Sequence, residues 1–252
     1  MRSAHGATMA RQTKTILRGA LQLAVMANVL DTNPVRDVHP IRSKAQPKGA
    51  TALTGDQLRE LLANVRASTY CQDHDLVDPI TLLIATGLRR SELLALCWED
   101  FDAAARTLTV RSKVVRVAGK GLQWIDDTKT AAGKRTIPLP AFAITTLTER
   151  RSLPYLGEQT VIFPSTAGTL RDPNNFGKQW RTVREALGVP EVTMHSFRKA
   201  VATLIDDEGL SPRISADQLG HSKVSMTQDR YMSRGRMHIE VAELLDRTIK
   251  DE

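Results

Sequence analysis

Three short segments in the carboxy-terminal half of the chain carry residues that suit chemistry on a phosphate. His195 and Arg198 lie three residues apart in a segment that reads as the start of a helix, which places both side chains on one face. His221 follows the glycine that ends a short predicted helix, and Tyr231 comes ten residues later. A histidine beside an arginine suits anion binding with a proton transfer, and a tyrosine offers a nucleophilic oxygen.

Each of these signals has an ordinary structural alternative. With six histidines in the chain, an H-x-x-R pair arises easily by chance, as a helix-capping histidine beside a surface arginine. Tyr231 could equally be a partly buried aromatic side chain. A metal site is a poorer explanation, because His195 and His221 lack a third ligand at short spacing and H-E-x-x-H is absent. We therefore predict neither a metal nor a cofactor.

Two earlier segments add cationic side chains to this set. The segment T-G-L-R-R-S-E-L contains Arg89 and Arg90 in a turn between two apolar helices. The segment D-T-K-T-A-A-G-K-R-T-I-P-L places Lys129 in a turn between two strand-like runs. An arginine guanidinium can donate two parallel hydrogen bonds to phosphate oxygens, whereas a lysine is a flexible proton donor.

In this order, and together with L-G-H-S at 219–222, the segments resemble the tyrosine recombinase (phage integrase) family over about residues 80–232. The resemblance implies a metal-independent DNA strand transferase that breaks and rejoins strands through a 3′-phosphotyrosyl intermediate. It also implies that Glu92, the acidic residue after the first arginine, supports the active site. The catalytic residues that it implies are Arg89, Lys129, His195, Arg198, His221 and Tyr231.

The residue types fit the chemistry that the resemblance implies. Arg89 and Arg198 would clamp the non-bridging oxygens, where charge accumulates in the transition state. His195 would accept the proton of the Tyr231 phenol, and Lys129 would protonate the leaving 5′ oxygen. The histidine of the L-G-H box would hydrogen-bond a non-bridging oxygen. One departure from the family is Lys199, which stands where a second histidine is common and which we take as tolerated.

The elements that must position these residues are mainly α-helical with a small antiparallel β-sheet, an α+β class similar to the tyrosine recombinase catalytic domain. Thr54 and Gln57 form a capping box at the start of one helix. Ser211 and Gly220 bound another short helix. The β-branched runs between residues 107 and 117 predict the sheet.

The domain organisation follows from composition and from the resemblance. Helical periodicity over residues 9–30 and the resemblance lead us to expect that residues 1–32 are the end of an incomplete core-binding helical domain. Residues 33–50 have the composition of a basic, proline-containing, extended linker. Residues 51–252 would form the catalytic domain, with a carboxy-terminal helix at 237–250.

The charge of the chain is concentrated in its first 50 residues. The whole chain carries 35 basic and 28 acidic side chains, a net charge of +7. Residues 1–50 contain eight basic side chains against Asp31 and Asp37, a net +6. This imbalance predicts a polyanion lying across the junction, and the alternative is a solvated basic tail. The residues expected to contact DNA are Arg36, Arg42, Lys44, Lys48 and Arg90.

The compartment is inferred from what the sequence lacks. It contains no apolar run of the roughly 20 residues that a membrane span requires, and no secretory signal. Cys71 and Cys97 form no C-x-x-C pair, which argues against a zinc ribbon and a disulfide framework. We expect a bacterial or phage protein of the cytoplasm that associates with DNA and not with a membrane.

The expected function is site-specific recombination, as the integrase or excisionase of a mobile element acting on attachment-type sites in double-stranded DNA. The resemblance implies self-association in a tetrameric synapse through the carboxy-terminal helix, and it allows accessory DNA-bending proteins. From its apolar face alone, that helix could equally dock on its own body. Two alternative functions remain: strand relaxation of the type IB topoisomerase kind, or a non-catalytic DNA-binding remnant of an integrase.

Overall fold

The computed structural model describes residues 2–41, 52–126, 134–154, 160–220 and 239–249. The chain divides into two compact units, Met1–Gly49 and Ala50–Glu252. The mainly α-helical class with a small antiparallel component is confirmed.

In its described residues the first unit contains the helix α1 (Arg2–Met26), which is interrupted by a kink at Gly6 (φ 76°, ψ 170°). The stretch after the kink corresponds to the predicted helix at 9–30 and ends earlier than predicted. Its end follows from Asn28, which adopts the left-handed conformation (φ 56°) that asparagine tolerates better than most residues. The amide of Val29 then donates to the Ala24 carbonyl at 2.9 Å and closes the last turn.

The described part of the expected linker does not extend away from this helix. The Asn33 side chain donates to the Arg18 carbonyl at 2.9 Å. Further along, Arg11 Nε donates to the Ile41 carbonyl at 2.8 Å. Residues 33–41 therefore fold back along α1, because polar side chains of the helix provide donors for carbonyls that proline-rich sequence leaves unpaired.

The second unit is built around nine α-helices in the part of the chain that the structure describes. The first begins at the capping box predicted from Thr54 and Gln57, which is confirmed. The helices are α2 (Gly55–Ala67), α3 (Thr69–Asp73), α4 (Val77–Thr86), α5 (Arg90–Leu93), α6 (Ala141–Ser152), α7 (Pro173–Val183), α8 (Met194–Asp207), α9 (Pro212–Leu219) and α10 (Ile239–Ile249).

Two antiparallel sheets take the place of the single sheet that the sequence predicted. The strands are β1 (Phe101–Asp102), β2 (Thr107–Val110), β3 (Ser112–Val117), β4 (Gly121–Asp126) and β5 (Arg135–Pro138). One sheet has the order β1-β2-β5, and β3 pairs with β4 in the other. The break falls after β2, where the Ser112 hydroxyl donates to the Ala95 carbonyl at 3.1 Å. The Trp124 indole donates to the same carbonyl at 3.0 Å, which holds the β3–β4 hairpin against the end of α5.

Helix α4 forms the centre of the second unit. All residues from Pro79 to Thr86 are buried, as expected for a helix that is apolar around its whole circumference. It packs against α2, α6 and α8. Because α4 is enclosed, the packing around it fixes the positions of its two ends, and the residues that contact these ends are positioned by it.

The carboxy-terminal helix α10 packs on its own unit, against α2 and α6. Val241, Leu244 and Leu245 are buried there, and the Asp246 carboxylate accepts the backbone N–H of Ala141 at 2.6 Å. The structure thus shows docking on its own body, one of the two arrangements considered above. Exchange with a neighbouring subunit stays a prediction. Among the helices of the described residues, none is long and apolar enough to cross a membrane.

Candidate active site

A glycine turn at the end of α4 places the first arginine of the candidate site. Gly87 is left-handed (φ 66°) and caps the helix. A Cβ at this position would lie 2.6 Å from Leu219 Cδ2 and 3.2 Å from Val201 Cβ. Only glycine therefore combines the turn with this close approach to α8 and α9, and Arg89 follows two residues later.

Glu92 holds Arg89 in the orientation set by this turn. Its Oε1 lies 2.6 Å from Arg89 Nη1, and its Oε2 accepts the Arg89 backbone N–H at 3.1 Å. The Glu92 side chain is buried, whereas the Arg89 side chain is 46% exposed. Glu92 thus fixes the backbone N–H and one guanidinium nitrogen of Arg89, while the rest of that guanidinium remains accessible from solvent.

Helix α8 contributes His195 and Arg198. The Ser196 hydroxyl accepts the Thr193 backbone N–H at 2.9 Å and starts the helix. His195 is exposed, whereas Arg198 is only 3% exposed. Arg198 donates from Nη1 to the Gly87 carbonyl at 3.1 Å and from Nη2 to the Leu219 carbonyl. Its guanidinium therefore joins the ends of α4 and α9.

These side chains share one open cleft of about 380 Å³, which Arg89, His195 and Arg198 all line. The sequence analysis did not identify Arg181 and Arg184, which also line it. Arg90, expected to contact DNA, lines the same cleft and donates to Asn174 Oδ1 at 3.3 Å. The cleft is therefore rich in arginine on two sides, from the α4–α5 turn and from α7.

A second buried arginine, Arg135, also belongs to the site. Its Nη2 lies 2.9 Å from Glu92 Oε2, and both side chains are more than 90% buried. The sequence analysis did not assign it a role. A signal was present, since Arg135 and Ile137 face the same buried side of β5, and a charged residue at an inward strand position calls for a partner.

The cluster formed by Arg89, Arg135, Arg198 and Glu92 contains more positive than negative charge. Burial acts to raise the pKa of Glu92, but Arg135 and Arg89 hold it below its usual value. Burial, reinforced by Arg89 and Arg135, lowers the pKa of Arg198 to about 10. Among the residues that the structure describes, Glu92 forms ion pairs with Arg89 and Arg135, whereas Arg198 bonds to backbone carbonyls. The cluster keeps excess positive charge at neutral pH, which a bound anion would offset.

Three of the expected catalytic residues, Lys129, His221 and Tyr231, lie outside the described residues. The same holds for the expected DNA contacts Arg42, Lys44 and Lys48, whereas Arg36 is exposed in the first unit. The chain reaches His221 directly after Gly220, whose carbonyl lies 3.5 Å from Arg89 Nη2. Within the described ranges, no three His, Cys, Asp or Glu side chains form a group that could hold a metal ion.

The second unit is thus mainly helical, with a cleft lined by buried and half-buried arginines whose charge suits a phosphate-like anion. Residues 51–236 match the phage integrase family, which is most of the chain, and the chain therefore belongs to this family. The recognition made from the motifs is confirmed.

Known relatives and structures agree with this assignment. The tyrosine recombinase XerD of Vibrio cholerae is 34% identical over 160 residues, which are 59% of this chain and 46% of XerD. The chain spans about half the length of the curated relatives that it matches first.

Two solved structures share the fold. The integrase of transposon Tn1549, in complex with a circular intermediate DNA, superposes with a TM-score of 0.76 at 21% identity, covering 90% of this chain and 75% of that one. The lambda integrase tetramer bound to a Holliday junction gives a TM-score of 0.60 at 19% identity, covering 89% and 61%. At these identities the likeness concerns the fold.

Proposed function

We propose that this chain is a site-specific DNA recombinase, the integrase or excisionase of a mobile element. One observation carries the proposal: Arg89, which pairs with the buried Glu92, and Arg198, which is buried beside it, line one open cleft together with His195. A phosphodiester transition state spreads negative charge over its non-bridging oxygens, and fixed guanidinium donors stabilise that charge. The excess positive charge of the cluster suits this task.

In the proposed reaction, Arg89 and Arg198 hold the non-bridging oxygens of the scissile phosphate. The Tyr231 oxygen attacks phosphorus, His195 takes the phenol proton, and the bond to the 5′ oxygen breaks. Lys129 donates a proton to that leaving oxygen. The product is a 3′-phosphotyrosyl linkage, so rejoining by a 5′ hydroxyl reverses the same steps without ATP or a metal ion.

The His221 side chain completes the proposed site by donating to a non-bridging oxygen. Its segment begins beside the cleft, because the preceding Gly220 carbonyl accepts from Arg89. The roles of His221, Lys129 and Tyr231 rest on the family resemblance and on their place in the sequence.

Double-stranded DNA with attachment-type sites is the proposed partner, supported by the DNA complexes of the Tn1549 and lambda integrases. The lambda structure is a tetramer on a Holliday junction, which supports self-association of this chain on DNA. Accessory DNA-bending proteins stay a prediction.

Covalent trapping tests the proposal. The full chain is incubated with a library of nicked duplexes of randomised sequence, and denaturant-resistant protein–DNA adducts are isolated and sequenced. We expect the wild type to enrich a defined site and Tyr231→Phe to bind it without forming an adduct, because the ring remains while the nucleophilic oxygen is lost. Tyr70→Phe is the matched control, since Tyr70 stacks on His74 in a separate part of the unit.

The outcomes separate the candidate functions. Adducts at a defined site together with strand exchange between two duplexes support the recombinase. Adducts with relaxation of supercoils but without exchange indicate type IB topoisomerase-like activity. DNA binding without adducts identifies a non-catalytic remnant.

A further inference from the structure

Arg135 occupies a position between two parts of the candidate site. It is the first residue of β5 and is 7% exposed. Its Nη2 donates to Glu92 Oε2 at 2.9 Å, and its Nε donates to the Gln218 carbonyl at 3.1 Å. The Arg135 guanidinium therefore contacts both Glu92, which holds Arg89, and the end of α9.

The two partners of Arg135, Glu92 and Gln218, lie next to groups that set the geometry of the cleft. Glu92 fixes Arg89 through two hydrogen bonds. Gln218 lies near the end of α9, two residues before the Gly220 cap. From there the chain enters the segment with His221 and Tyr231. A shift of Glu92 would move Arg89, and a shift of the end of α9 would move the carbonyls that accept from Arg89 and Arg198.

We propose that Arg135 is a positioning residue that fixes Arg89, through Glu92, in register with the end of α9. The inference rests on the recombinase function proposed above and adds a residue to its machinery. Arg135 acts through its neighbours, Glu92 and Gln218.

The choice of arginine at this site supports a positioning role. A planar guanidinium donates in two directions at fixed geometry, whereas a lysine ammonium on a flexible stem does not reproduce that fork. Buried ion pairs stabilise a fold weakly compared with apolar packing, so core stability alone does not call for Arg135. Its two acceptors, Glu92 and Gln218, lie 43 and 83 residues away.

The proposal predicts a specific dependence on pH. Within the described ranges, the charged groups that interact with the Glu92 carboxylate are Arg89 from its own turn, Arg135 from β5 and Arg198 from α8. Burial opposes the charged form of Glu92, so removal of Arg135 raises the pKa of that carboxyl. A protonated Glu92 no longer pairs with Arg89, and activity then falls at a pH where the wild type still reacts.

The test uses the full chain and the nicked duplex that the wild type enriches in the trapping experiment. Single-turnover rates of adduct formation and the dissociation constant for the duplex are measured for Arg135→Gln and Arg135→Lys. We expect Arg135→Gln to lower the rate of the DNA-bound enzyme about 100-fold, with affinity for the duplex changed about threefold at most. The acidic limb of the pH–rate profile of Arg135→Gln should lie at higher pH than that of the wild type, because Glu92 loses the arginine that lowers its pKa most. Arg135→Lys should return that limb towards the wild type while the rate stays reduced.

Arg150→Gln is the matched control, because Arg150 is another buried arginine that pairs with carboxylates in the same unit. It should lower stability without moving the acidic limb or the rate of the DNA-bound enzyme. If Arg135→Gln behaves like this control, the residue is merely structural and the proposal is overturned. A wild type that forms no adduct overturns the recombinase function instead, so the two failures are distinguishable.

Discussion

Two arginine clusters lie at opposite ends of α4, and they are built in different ways. At the start of the helix, Arg150 pairs with Asp75 and Asp78. At its other end, Gly87 accepts from Arg198 and leads to Arg89. Gly87 lies nine positions after Asp78, which separates the clusters by roughly 14 Å along the helix axis. We call them the Asp75 cluster and the Glu92 cluster.

The charges of the Asp75 cluster are balanced. Arg171 joins it by an ion pair to Asp75, so that two arginines face two carboxylates. Arg150 uses its remaining donor on the Ile162 carbonyl at 2.8 Å, and its guanidinium lies over the Phe163 ring. Its hydrogen-bonding capacity is met within the protein, which is typical of a structural pair.

The Glu92 cluster has three arginines for one carboxylate, and the pKa values reflect this. Burial acts to lower the pKa of Arg150, but Asp75 and Asp78 hold it above its usual value. In Arg198 the pKa falls to about 10, because burial is reinforced by neighbouring arginines. Burial is common to both residues, and the number of nearby carboxylates separates Arg150 from Arg198. Arg171, which pairs with Asp75 alone, also has a pKa lowered by burial and by Arg150.

The dipole of α4 favours both arrangements. Asp78 lies in the first turn, where the partial positive charge of the helix stabilises a carboxylate, and Arg198 contacts the carbonyl end. The orientation of one buried helix therefore favours a carboxylate at its first turn and a cation at its carbonyl end.

The largest expected effect is on catalysis. Arg198→Lys keeps a positive charge but loses the planar fork, and we expect the rate of adduct formation to fall about 10²–10³-fold. Arg150→Lys should leave the rate of folded, DNA-bound enzyme unchanged. Single-turnover trapping of both variants measures the difference, and equal losses in the two would contradict the division between the clusters.

The effect on stability should have the opposite pattern. Arg150→Gln removes the arginine that the half-buried Asp75 and Asp78 share, and we expect the free energy of unfolding to fall by about 1–3 kcal/mol. Arg198→Gln removes a buried cation that lies near two others, so stability should change little or increase. Urea unfolding of both variants gives the comparison. A larger loss for Arg198→Gln would show that the Glu92 cluster is also primarily structural.

Anion binding should reveal a smaller difference in stability between variants of the two clusters. Inorganic phosphate at ten times its dissociation constant stabilises a one-site protein by about 1.4 kcal/mol. We expect this stabilisation in the wild type and in Arg150→Gln, and its loss in Arg198→Gln. Thermal unfolding in phosphate and in chloride of equal ionic strength measures it. Retention of the effect in Arg198→Gln would place the anion elsewhere.

The smallest expected effect is a difference in pH dependence. The pKa of Glu92 is lowered, so its contribution to stability is present above its ordinary value of 4.5 and is lost as the pH falls below it. The pKa of Asp78 is raised by burial, which outweighs Arg150, so its contribution is present below 3.8 and is lost as the pH rises through the raised value.

Urea unfolding between pH 3 and 7 should therefore separate two variants. The stability gap between the wild type and Glu92→Gln should shrink as the pH falls, whereas the gap for Asp78→Asn should not. Parallel curves would mean that the two carboxylates experience similar surroundings.

The sequence by itself determined the local features of this protein. Thr54 and Gln57 cap α2, and Ser211 and Gly220 bound α9, because a cap is made by hydrogen bonds between residues only a few positions apart. The ordered motifs identified the family and brought attention to Arg89, His195 and Arg198. The alternation of β-branched residues located the strands, but not their division into two sheets.

Only the tertiary structure decided which distant groups meet. Arg135 pairs with Glu92 across 43 residues, and Arg198 reaches the Gly87 carbonyl across 111. The docking of α10 on its own unit and the return of residues 33–41 along α1 are of the same kind. Such contacts depend on how buried faces pack, and the packing of α8 and α9 against the end of α4 is not encoded in any one segment. The charge imbalance of the cleft is therefore a property of the fold, although every residue that produces it is visible in the sequence.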